Sequence, residues 1–330
     1  MTPDTTNALP QAASVLTHGL IDYAGLFPPA SLDMPPAAEN YARYLRGANA
    51  AMLGRLICPA GRLDELTKHA QILMPGTYAT SGYREMAEHA DPWRISAIVP
   101  HNDASPVDDS LEHIRAFNHR HEDEDQGLAV VDAIETPVKA VDEIDALLDV
   151  IPEQLQVAIE VPGSADDGVD VRGYVAALAG TGAAAKIRCG GVTPDLFPSA
   201  ARIVGFMIAC RTAGVAFKCT AGLHHALPGA YRLTYENGSA TGTMHGFVNV
   251  FTAAVLIGAR AIDEAAAIEL LGDRDAASFV VTDGELGWRN HRVPVAVAAE
   301  QRSRFALGYG SCSFDEPTEE LAALLRESSR

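Results

Sequence analysis

The sequence predicts a (β/α)8 barrel, the TIM-barrel architecture of the α/β class, on three observations. Short apolar, β-branched runs recur along the chain, with starts between 27 residues (157 to 184) and 42 residues (53 to 95) apart, the spacing of strand–helix units in a parallel sheet. The stretches between them carry helical periodicity. Seven such units in one register favour a closed barrel over a doubly wound sheet, and no Gly-x-Gly-x-x-Gly follows the first strand to mark a dinucleotide site.

Strands are expected at residues 20–23, 53–58, 95–100, 129–135, 157–161, 184–188 and 215–220. Helical segments fall between them at 39–47, 64–73, 107–120 and 138–148, and one at 194–212 joins the sixth strand to the seventh. The run 247–257 stays apolar across too many positions for a strand and reads as a buried helix. The eighth strand is placed at 309–314, before Glu316-Pro317 and a last helix at 318–326. Residues 265–305 then become an insertion in a single barrel domain covering 1–330. The insertion holds a hairpin over 278–293, turning at Asp283-Gly284, and a helix over 295–307.

At 330 residues and 48 % hydrophobic, the chain can bury a large core. Its net charge of −18, with an acidic run at 122–125, repels nucleic acid and anionic membranes, so neither is expected as a partner. The opening Met-Thr-Pro-Asp-Thr-Thr lacks a cationic start followed by an apolar run, so no secretory signal is expected. The richest apolar run, 247–257, is about half of the ~20 residues a bilayer crossing needs. Five cysteines without a Cys-x-x-Cys pair fit a cytoplasmic protein better than a disulfide framework or a zinc knuckle.

The chemistry gathers at strand ends. Side chains alternate along a strand, so Lys186 and Arg188 share a face opposite Ile187, and Lys218 opposes Phe217. Glu160 likewise opposes Ile159 and Val161, and Glu135 opposes Ile134. The ionisable members suit the interior at the C-terminal mouth, where active sites of this fold are built. Strand–helix–strand geometry sets Lys186 and Lys218 side by side facing one cavity. Two ammonium groups that close disfavour each other's charge, leaving one a neutral nucleophile. The same five residues could instead neutralise one another as a salt-bridged plug. Against the plug stand Gly190, Gly191 and Gly222, which leave room for a ligand near the backbone. Thr193-Pro194-Asp195 reads as a helix start whose amides, from 190 to 195, suit an anion.

His224 and His225 are adjacent, so an extended chain points them opposite ways and at most one enters the site. His245 opens the apolar helix, and the long loop 226–242 fits a lid. Asp22 and Tyr23 end the first strand and suit proton transfer or hydroxyl binding. A metal site from the histidines with Asp22 or Glu160 is conceivable. No His-x-His or His-Glu-x-x-His spacing supports it and two lysines repel a divalent cation, so no metal and no cofactor are assigned. His18, His69, His89, His101, His113, His119, His121 and His291 read as surface or loop residues.

The segments 183–191 and 214–222 resemble the sixth and seventh strands of class I aldolases of the deoxyribose-phosphate aldolase type. The chain as a whole is similar to a group of bacterial TIM-barrel proteins. The aldolase resemblance implies that Lys186 forms a Schiff base, that Lys218 lowers its pKa, and that Glu135 or Glu160 is the acidic partner. It spans only 183–222, and Lys186 is followed by Ile-Arg-Cys-Gly-Gly where that family has a small Thr/Ser run.

The expectation is a lyase or aldolase-like enzyme acting on a small anionic carbonyl metabolite, with no cofactor. Arg188, Gly190 and Gly191 would hold the anionic end, and His225 or His245 a hydroxyl, with His224 also counted among the substrate-binding residues. The rivals are a metal-assisted hydrolase or isomerase, built on the histidines and carboxylates, and a non-catalytic barrel that binds a small anion. The added hairpin is compatible with a homo-oligomer.

Overall fold

A computed structural model describes residues 9–76, 91–100, 107–162 and 168–328. The opening stretch read for a secretory signal, and also His89 and His101, lie outside the described residues. Eight parallel strands close into a barrel: β1 (Ile21–Tyr23), β2 (Leu53–Pro59), β3 (Trp93–Ile98), β4 (Ala129–Pro137), β5 (Gln156–Glu160), β6 (Ala184–Arg188), β7 (Phe217–Thr220) and β8 (Ala306–Ser311). β8 completes the ring between β1 and β7, with Ile21 opposite Tyr309 and Cys219 also opposite Tyr309. It begins three residues before the expected 309 and ends at Ser311. Gly308 makes that closure possible, because a Cβ there would stand 2.7 Å from the Leu20 carbonyl oxygen.

The run 247–257 is the helix Phe247–Gly258, with every residue from Phe247 to Ile257 buried. Its lack of a polar face follows from its position. It lies between the barrel and the helices Ala200–Ala213, Glu264–Gly272 and Val295–Arg304. The segment between that helix and β8 carries more structure than one hairpin and a helix. It adds the helix Glu264–Gly272 and forms a three-stranded antiparallel sheet of Phe279–Val281, Glu285–Trp288 and His291–Pro294.

Two helix starts differ from the sequence reading. The second helix is Met34–Leu45, beginning earlier than 39 because the prolines of its first turn need no amide partner there. The expected helix at 194–212 is broken. Pro194–Leu196 is a 3-10 turn, and Pro198 holds Phe197 extended. The α-helix Ala200–Ala213 then starts under a cap in which Ser199 Oγ accepts from the Arg202 amide at 3.2 Å. Taken whole, Pro194–Ala213 has a membrane span's length and apolar content, which the sequence reading did not see. Here the α-helical part is a barrel helix, with Phe206 packed edge-on against Phe217 of β7.

Candidate active site

Six charged side chains form a column inside the barrel. Lys218 of β7 contacts Asp22 of β1 and lies 2.6 Å from Oε1 of Glu135 on β4. The other oxygen of Glu135 lies 2.8 Å from Lys186 of β6, which also lies 2.8 Å from Glu160 of β5. Arg188, two residues up β6, meets Glu160 at 3.6 Å. Three acids alternate with three bases. Side-chain exposure rises from 1 % at Glu135 through 6 % at Lys186 and 21 % at Glu160 to 43 % at Arg188, the more open end, while Lys218 and Asp22 at the other end are 8 % exposed.

Local sequence builds this arrangement. Period-2 alternation puts all six on inward positions, and strand register places Lys186 beside both Glu160 and Lys218. Ser96, a small polar residue between Ile95 and Ala97 of β3, donates its hydroxyl to Glu135 Oε1 at 2.8 Å. Asp22 is anchored by the Arg55 amide at 2.5 Å, and Gly54 leaves it space, since a Cβ there would be 2.1 Å from Asp22 Oδ1.

The electrostatics overturn the idea that closeness of the two lysines leaves one of them a neutral amine. Burial pulls the Lys186 pKa down, but Glu135 and Glu160 outweigh it and leave the amine above the ordinary lysine value. Lys218 is raised the same way, with Asp22 and Glu135 outweighing burial. Burial pushes Glu135 up, yet the two ammonium groups hold it far below an ordinary glutamate. The reason is geometric: a carboxylate stands between the amines.

Two cavities meet this column. The mouth at the C-terminal strand ends encloses about 330 Å³ and is lined by Lys186, Glu160, Arg188, Glu135, Thr220 and His224. A larger cavity of about 650 Å³ at the N-terminal strand ends is lined by Lys218, Asp22 and Glu135. Lys186 and Lys218 therefore open to opposite ends, against the expectation of one shared hollow, and Glu135 borders both. Asp22, fixed toward the lower end, holds Lys218 there.

No protein-family model matches the chain, and no curated protein matches it.

Several expected ligand contacts lie elsewhere. Gly190 offers no room, because a Cβ there would stand 2.4 Å from the Phe197 ring and 2.8 Å from Gly222 Cα. The two strand-end loops thus press together under Phe197; Leu196 packs on Gly191, which nevertheless lines the mouth together with Gly222. Tyr23 faces outward, packing edge-on to Tyr44 at 5.2 Å and accepting from Asn40 Nδ2 at 3.2 Å. Its neighbour Asp22 takes the inward position, as alternation demands.

Of the three histidines, only His224 lines the mouth. It sits 3.4 Å from Ser311 Oγ, and burial lowers its pKa to about 4, so it is neutral. His225 turns away, donating from Nδ1 to Glu320 at 2.7 Å and stacking on Tyr231 at 3.4 Å. His245 donates to the Pro198 carbonyl at 2.7 Å. His121 is a core residue rather than a surface one, bonded to Thr67 Oγ1 at 2.8 Å and Gly127 O at 2.6 Å. Among the described residues no three His, Cys, Asp or Glu side chains are placed to hold a metal ion.

The loop 226–242 opens a hairpin of Gly229–Arg232 and Thr241–Met244. It is fastened to the last helix, Asp315–Ser328, where Glu320 accepts from the Ala226 amide at 2.8 Å and Glu316 from Tyr235 at 3.1 Å. Ser96 and Glu320 carry weight that the sequence reading did not assign. Ser96 had a usable signal, a lone hydroxyl on the inward face of an apolar strand. Glu320 had none, because its partners lie some ninety residues away.

Proposed function

We propose that the chain is an enzyme of the lyase or aldolase kind, acting at the barrel mouth on a small anionic carbonyl compound through Lys186. The observation that carries this is the pairing of Lys186 with Glu160 at 2.8 Å on the wall of an open cavity whose rim is the half-exposed Arg188. Arg188 suits the anionic end of the substrate, by its planar fork. The aldolase-like segments 183–191 and 214–222 support the same roles.

A protonated amine cannot attack, so the first step is proton transfer from Lys186 to Glu160 as substrate displaces solvent. The free amine adds to the carbonyl carbon. The oxygen takes one proton from the added nitrogen and a second from Glu160 and leaves as water, and an iminium remains on Lys186. Glu160, again a carboxylate, then takes the proton of the β-hydroxyl as the carbon–carbon bond breaks, with the electron pair passing into the iminium to give an enamine. Protonation of the enamine carbon by Glu160 and hydrolysis release the second product and restore Lys186. Lys218 tunes Lys186 by occupying half of Glu135. Five buried cysteines, none in a disulfide, fit work in a reducing cytoplasm.

Borohydride trapping with a panel of small 2-oxo acids and aldehydes tests this, read by peptide mass spectrometry. A reduced adduct on Lys186, absent in Lys186→Met, is expected. The neutralised column favours a second reading, a barrel that binds a small anion at Arg188 without turnover. Saturable anion binding lost in Arg188→Gln, with no trapping by any carbonyl, would establish that reading instead.

A further inference from the structure

We infer that the cavity at the N-terminal end of the barrel is a second binding site, for a small organic oxyanion with an apolar body. It is separate from the mouth and larger, about 650 Å³, within the range of small-metabolite pockets.

The decisive group is Arg302. It projects from the helix Val295–Arg304 and lines this cavity while only 7 % exposed. Its Nε donates to the Leu16 carbonyl at 2.7 Å and Nη2 to the His18 carbonyl at 3.3 Å, and the guanidinium lies 5.3 Å from the Phe251 ring centre. Nη1 has no partner, and among the described residues Arg302 makes no ion pair. A buried cation without a counter-charge is costly unless something supplies one.

Its surroundings do not supply one. Arg55 and Arg94, at the same end, share the single carboxylate of Asp132 at 2.6 Å and 2.5 Å. Lys218 takes Asp22 and one oxygen of Glu135, whose other oxygen belongs to Lys186. Cations are therefore in excess here, within a chain whose net charge is −18. The remaining walls are apolar, including Val15, Ile134, Val157 and Leu307. A charged head against Arg302 and a short hydrocarbon body against those walls match both halves of the lining.

The test is calorimetric titration of the full chain with hexanoate, with hexanol as neutral control. Hexanoate should bind saturably and about tenfold or more tighter than hexanol, and Arg302→Leu should remove that preference. Should Arg302→Leu fail to fold, Ser14→Trp serves. Ser14 is exposed on the first helix, Gln11–Thr17, at the cavity rim, so the indole should block entry without disturbing the core. Arg188→Gln, at the mouth, should leave hexanoate binding intact. Absence of saturable binding, binding indifferent to both lower-cavity variants, or binding lost in Arg188→Gln would each overturn the assignment.

Discussion

Lys186 and Lys218 are register partners on adjacent strands, yet Glu135 stands between their ammonium groups with one oxygen on each. An amide at position 135 would leave two buried cations with one acid apiece. Breaking a buried pair by removing one partner costs about 3–5 kcal/mol. Glu135→Gln should therefore lower the unfolding free energy in urea by about that amount. A loss below about 1 kcal/mol would mean the column contributes little to stability.

Alkaline stability should report the lysines. Both are raised above the ordinary value, so the stability from their pairs is complete below about pH 10.4 and is lost as pH climbs through the folded-state values. Glu135, held low, works in the opposite sense, contributing above about pH 4.3 and fading on strong acidification. Melting temperatures should hold up to about pH 10 and then fall, and Lys186→Met should flatten that alkaline arm. An arm unchanged in the variant would show that other groups set it.

His224 should govern moderate acid. Buried and neutral in the fold, it titrates near 4, whereas an unfolded histidine titrates near 6.5. The unfolded chain thus binds the extra proton first, and stability falls as pH drops through that window. The loss from this group alone is about 3 kcal/mol between pH 7 and 4. Denaturant midpoints for His224→Gln should lose most of that dependence.

Lys218→Met should act at a distance on Lys186. Without Lys218 the full charge of Glu135 bears on Lys186 and the neighbouring positive charge is gone, so both changes raise the Lys186 pKa. The pH at which borohydride trapping reaches half its maximal rate should move upward. An unmoved profile would remove the tuning role from Lys218.

Gly190→Ala tests the closed loops. Its methyl would meet Phe197 and Gly222 at 2.4 Å and 2.8 Å, so the backbones after β6 and β7 must separate. Overpacking of this kind costs about 1–3 kcal/mol, and calorimetric melting should register it.

The inward column was legible because period 2 is local. Alternation alone sets Glu135, Glu160, Lys186, Arg188 and Lys218 on inner positions, and strand spacing puts Lys186 beside Lys218. What alternation cannot fix is where a four-carbon side chain aims along the barrel axis. Asp22, some two hundred residues away in sequence, settles that for Lys218. Gly190 misled for a related reason: the residue filling the space over it is Phe197, displaced there by the break before Pro198. Arg302 did leave a trace, sitting on the buried stripe with Val295 and Ala298 at helical spacing.

Three acids cancel three bases along the barrel axis, so the whole excess of 18 negative charges belongs to the rest of the molecule. An incoming anion must cross a repelling exterior before it feels Arg188. That field decays over about 10 Å at 0.1 M salt. Added electrolyte should therefore quicken capture of an anionic ligand, the reverse of its effect on attractively steered encounters.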